Sequence, residues 1–185
     1  MSVCFCHCLK NIHNLWPVWV LQEVAEKKHA IGTAKIAALC LNNINMIDVK
    51  AAPSDAEFIS NINKQIPILV YPGENSLDLN QLKSETPRPL LLLDGSWRKT
   101  RKMFYDIPQL NNLPRLSINP DTVSRYRIRK APDASAISTL EAITHVLSVL
   151  DNNAEKYAPM LETMDWMIDK QIEYMGEDVY LKNYK

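Results

Sequence analysis

Asp94, Gly95, Ser96 and Trp97 follow directly on four consecutive leucines, Leu90 to Leu93. A carboxylate at the end of an apolar strand is placed to accept a proton, so Asp94 is the candidate general base. The competing assignment makes it only the N-cap of the next helix, worth about 1 kcal/mol. Gly95 lets the chain turn and Ser96 adds a hydroxyl. Trp97 offers a flat face for stacking on a base or adenine, unless it is simply core. Ser138 and Thr139, with Glu141 at capping-box spacing, open a helix whose N–H groups and hydroxyls suit a carboxylate or phosphate. A plain helix cap accounts for the same residues. Tyr71, Pro72 and Gly73 form a turn at a strand end. Cys4, Cys6 and Cys8 alternate, so on a strand they would face one way and could share a zinc ion. Their spacing is not C-x2-C and no fourth ligand lies nearby, which favours a half-buried strand of reduced thiols.

These residues need elements to hold them. Short apolar runs alternate with helical periodicity, the pattern of an α/β fold with a mostly parallel central sheet flanked by helices. Strands are expected at 16–21, 44–49, 68–71, 90–93, 115–118 and 126–129. Helices are expected at 33–41 with Thr33 as N-cap, from a capping box at Ser54–Glu57 to about 64, and over 97–105, 138–151 and 155–174. Four leucines without alternation predict a strand buried on both faces, hence central. In such sheets ligands bind beyond the carboxyl ends of the strands, where Tyr71 to Glu74, Asp94 to Trp97 and Arg129 to Glu141 all fall. One domain over 1–185 is expected, with a cysteine-containing strand in 1–15 and a helical extension at 152–185.

The chain has 185 residues and no net charge, 46% hydrophobic and 23% charged. That excludes an acidic disordered chain or a basic tail as its overall character. No apolar run reaches the roughly 18 residues of a membrane span. The N-terminus lacks a charged-then-apolar signal, so a cytoplasmic protein, monomeric by expectation, follows. Neutrality conceals an asymmetry. Residues 94–130 hold nine basic and three acidic groups, whereas 131–185 hold four and ten. The basic third suits a phosphate backbone, or else pairs with the acidic third across the fold. Arg125, Arg127 and Arg129 alternate and would share one strand face, where like charges repel without a polyanion. That argument favours RNA.

In order, the chain carries Leu21-Gln22, Glu26, Lys28 to Lys35, Tyr71-Pro72, Asp94-Gly95-Ser96-Trp97-Arg98-Lys99, Arg127 to Lys130 and Ser138 to Ala142. This series resembles the DTW-domain family, the tRNA-uridine aminocarboxypropyltransferases, over about residues 4 to 150. Three departures stand out. Glu23-Val24 replaces the family's His-Pro, Ser96 replaces the commoner Thr, and the C-x2-C pair that precedes C-x-C in a zinc ribbon is missing.

The resemblance implies a fold related to the knotted SPOUT methyltransferases and S-adenosylmethionine as group donor. It implies transfer of the aminocarboxypropyl arm to N3 of a tRNA uridine, with methylthioadenosine released. Asp94 would then be the base. Tyr71, Pro72, Gly73, Ser96, Trp97, Ser138, Thr139 and Glu141 would hold the donor. Thr33, Lys35, Arg98, Lys99, Arg101, Lys102, Arg125, Arg127 and Arg129 would contact RNA. A SPOUT-like RNA methyltransferase or a non-catalytic RNA-binding module are the competing expectations.

Overall fold

A computed structural model describes residues 4–23, 32–52, 55–118, 124–128 and 136–184. In chain order its elements begin with β1 (Val18–Gln22), α1 (Thr33–Cys40), β2 (Ile44–Asp48), α2 (Ala56–Gln65) and β3 (Ile68–Val70). They continue with α3 (Leu79–Leu82), β4 (Leu90–Asp94), α4 (Trp97–Asp106), β5 (Arg115–Leu116), α5 (Thr139–Leu150), α6 (Ala154–Met175) and α7 (Glu177–Tyr184). The five strands run in the order β2-β1-β4-β3-β5, all parallel.

β4 is central, as its leucines require. Leu90 and Leu92 enter the core under α1, α5 and α6, while Leu91 and Leu93 enter the core under α2 and α4. Each such leucine is buried, which contributes roughly 1.5–3 kcal/mol apiece. The connection from β3 to β4 runs through α3, whose Leu82 lies in the first core. The connection from β4 to β5 runs through α4, whose Met103 and Phe104 lie in the second. The chain thus moves in opposite directions from neighbouring strands, and a crevice opens at their carboxyl ends.

Several local expectations are corrected. Cys6–Cys8 is a 3-10 turn, not part of a strand. Phe5 is buried and its carbonyl accepts from Cys8 N at 3.0 Å, which winds the segment. Cys4, Cys6 and Cys8 therefore do not alternate along one face. The segment docks on α6, with the His7 and Trp166 rings 4.6 Å apart and Thr163 Oγ1 donating to the Cys8 carbonyl.

Tyr126–Ile128 is a turn rather than a strand, and Arg129 lies outside the described residues. Arg127 N donates back to the Arg125 carbonyl at 2.9 Å, so these backbone groups are used locally instead of in the sheet. Gly32, not Thr33, caps α1. Asp55 caps α2 by accepting from Glu57 N and Phe58 N; Ser54 lies outside the described residues. α7 lies within the helical extension expected at 152–185, beyond the helix placed at 155–174, and its Tyr180 closes the core beside α6. The capping box of Ser138 and Glu141 forms as its spacing predicts.

Candidate active site

A cavity of about 240 Å³ opens at the carboxyl ends of β3, β4 and β5. Leu92, Leu116 and Ile118 give it an apolar floor. Tyr71, Pro72, Gly95, Trp97, Ser138 and Thr139 line it as well. Five of the residues expected to hold the donor thus come together. Gly73, Ser96 and Glu141 do not line the cavity.

Asp94 ends β4 and is 9% exposed. Its Oδ2 accepts from Gln22 Nε2 at 2.6 Å and its Oδ1 from Thr139 Oγ1 at 2.6 Å. Gln22 is its register partner on β1, so the first bond ties two central strands. The second ties the sheet to the first residue of α5. Asp94 is therefore not the N-cap of α4; Ser96 takes that position, without a side-chain hydrogen bond. Thr139 lines the cavity with Asp94 behind it. Because its hydroxyl hydrogen is directed to Asp94, its oxygen can accept from a donor in the cavity. Gly95 has φ +157, and a Cβ there would meet the Lys99 Cβ at 3.2 Å, so the tight exit from β4 suits glycine.

Glu141 works on the chain itself. Its carboxylate accepts from Ser138 N (2.7 Å), Ser124 Oγ (2.9 Å) and Arg125 N (2.6 Å), which holds the 124–128 turn against the start of α5. Trp97 is 43% exposed, which removes the core assignment. Tyr71 lies 6.3 Å from the Trp97 ring and stacks on Phe104 at 5.2 Å with 5° between planes. Burial pushes the Tyr71 phenol above its ordinary pKa, against the opposing charges of Arg101 and Arg115. A Cβ on Gly73 would come within 2.6 Å of Arg115 Cδ; the missing side chain lets Arg115 lie with its guanidinium 4.6 Å over Phe104.

The expected RNA residues divide. Arg98 and Arg101 are exposed on α4. Lys99 pairs with Glu23 at 3.4 Å, and Lys102 with Asp106. Arg125 pairs with Asp165 at 3.2 Å and Arg127 with Asp169 at 2.6 Å, both acids on α6. The expectation that the acidic third leaves these arginines unpaired is corrected. α6 turns Asp165 and Asp169, one helical turn apart, toward the 124–128 turn. Thr33 is buried, and Lys35 is exposed on α1. Among the described residues no three His, Cys, Asp or Glu side chains are grouped to hold a metal ion.

Sequence reasoning missed Gln22, Phe104, Tyr105 and Arg115 as parts of this region. Gln22 directly follows the strand expected at 16–21, but nothing local links it to Asp94, 72 residues away.

A parallel sheet covered by helices on both faces, with a cavity where the chain reverses direction, defines an α/β domain suited to a small ligand. The chain belongs to the DTW domain family, which matches residues 1–172. It is 25% identical over 194 residues to tRNA-uridine aminocarboxypropyltransferase 2 of Drosophila melanogaster, covering 98% of this chain and 77% of that protein. Proteins of the same name from Macaca fascicularis and Mus musculus are 23% and 24% identical. Those alignments cover 98% and 99% of this chain and 66% and 64% of the relatives. No solved structure matches the chain, so kinship with the knotted SPOUT fold gains no support from structural neighbours. Among the described residues no helix is long and apolar enough to cross a membrane.

Proposed function

We propose that this chain transfers the 3-amino-3-carboxypropyl group of S-adenosylmethionine to N3 of a uridine in tRNA, releasing 5′-methylthioadenosine. The family and the names of its relatives support the reaction class. The observation that carries the reading for this chain is Thr139, which lines the cavity while donating to the buried Asp94 at 2.6 Å.

Tyr71, Pro72, Trp97, Ser138 and Thr139 hold the donor. The aromatic faces suit both its adenine and its positively charged sulfonium. S-adenosylmethionine supplies a carbon activated by that sulfonium. As N3 bonds to this carbon, the carbon–sulfur bond breaks and the pair of electrons leaves with sulfur as a neutral thioether. The N3 proton passes to Thr139 Oγ1 as the hydroxyl proton of Thr139 moves to Asp94, so Asp94 is the base acting through one hydroxyl. Gln22 holds the other carboxylate oxygen and fixes the geometry.

Arg98, Lys99, Arg101 and Lys102 lie within about two helical turns of Asp94 and meet tRNA phosphates, Lys99 and Lys102 by releasing Glu23 and Asp106. Arg125 and Arg127 reach phosphate only by releasing Asp165 and Asp169. The test is the by-product formed with pure protein, S-adenosylmethionine and unmodified tRNA. Methylthioadenosine in step with modified uridine is expected; S-adenosylhomocysteine means methyl transfer and overturns the reading.

A further inference from the structure

α4 carries Trp97, Arg101 and Tyr105 at intervals of four, which puts them on one helical face over about 12 Å. Trp97 is 43% and Tyr105 64% exposed. The Arg101 guanidinium lies 5.9 Å from the Tyr105 ring centroid. Beside this stripe Arg115 covers Phe104, Phe104 stacks on Tyr71, and Tyr71 leans toward Trp97. Flat rings and planar cations therefore alternate along this face of α4 from Trp97, which lines the cavity. Among the described residues Arg98, Arg101 and Arg115 form no ion pair, whereas Lys99, Lys102, Arg125 and Arg127 each do.

An acidic protein segment would satisfy the charges but leave the rings without partners. A duplex would offer phosphates but keep its base faces stacked inside. A single strand of RNA offers both: unstacked bases for the rings and the Arg101 plane, and phosphates for the guanidinia. Resting on the proposed reaction, we infer that the Trp97–Arg101–Tyr105 face binds the unpaired nucleotides flanking the target uridine. The chemistry agrees. N3 is the Watson–Crick donor of uridine, and it is free to attack only when the base is unpaired.

The probe is a fluorescently labelled ten-nucleotide uridine-containing RNA, used single-stranded and annealed to its complement. It is titrated with the full chain and with Tyr105→Ala, Tyr105→Phe and Arg101→Gln, and Tm is recorded for each. Tyr105→Ala is expected to weaken single-strand binding about ten-fold, while Tyr105→Phe retains it. Arg101→Gln is expected to reduce the slope of log affinity against log salt by about 0.7. The duplex is expected to bind more weakly and to ignore Tyr105. Single-strand binding unchanged in Tyr105→Ala and Arg101→Gln overturns the inference. So does a preference for the duplex, or polyglutamate binding with the same sensitivity to Tyr105. If transfer to tRNA fails while this binding pattern holds, the reaction is wrong and the surface stands. If transfer occurs and Tyr105→Ala binds RNA like the parent, the surface is wrong and the reaction stands.

Discussion

Arg101 and Arg127 belong to the same run of nine cations between residues 94 and 130, and the fold puts them to opposite uses. Arg101 projects from α4 over the exposed Tyr105 ring and makes no ion pair among the described residues. Arg127 sits in a turn that Glu141 ties to α5, and it meets Asp169 at 2.6 Å. One region presents charge to solvent beside the cavity, and the other spends it against α6. A basic stretch of sequence is therefore not a basic surface. What separates the two is whether a distant helix brings acids to meet the arginines.

The largest expected effect lies at the seam between these regions, where Asp94 joins β1, β4 and α5. Asp94→Asn should lower turnover by roughly 10²–10⁴ while leaving single-strand RNA affinity and its salt slope unchanged. Single-turnover rates measured beside binding isotherms check this, and a parallel loss of RNA affinity would merge the seam with the α4 surface. Glu141→Ala comes next. It strips the Ser138 and Arg125 amides and the Ser124 hydroxyl of their acceptor, which should cost about 2–3 kcal/mol and lower Tm by roughly 4–12 °C. Thermal melts should show this loss for Glu141→Ala and not for the exposed Arg101→Gln. The smallest effect belongs to the Arg127–Asp169 pair, which is partly exposed. A double-mutant cycle with Arg127→Gln and Asp169→Asn should give a coupling of about 0.2–1 kcal/mol that fades with salt. The same variants should leave the salt slope of RNA binding unmoved, and a drop there would return Arg127 to the RNA surface.

Local signals survived folding and long-range ones did not. Leu90–Leu93 announced a strand buried on both faces because no polar residue interrupts it, and Ser138 and Glu141 announced a cap because both partners lie within one turn. Tyr71, Pro72, Trp97, Ser138 and Thr139 were legible as residues that meet around one cavity because each ends a strand or begins a helix at one rim. Gln22 was not, since its bond to Asp94 spans 72 residues and depends on the β1–β4 register. Alternation misled twice. At Arg125 and Arg127 the backbone is held by Glu141 and by its own turn, and around Cys6 burial of Phe5 winds the chain. The Arg115–Phe104–Tyr71 stack escaped notice because it exists only when α4 packs beside β3 and β5.

The central claim is that the amino-acid arm of the donor, and not its methyl group, reaches uridine. Two preparations of S-adenosylmethionine, one labelled in the aminocarboxypropyl arm and one in the methyl group, are incubated with the full chain and unmodified tRNA. The arm label is expected in the tRNA nucleosides at N3 of uridine, and the methyl label in released methylthioadenosine. Methyl label recovered in the RNA, or neither label transferred while RNA still binds, would contradict the account.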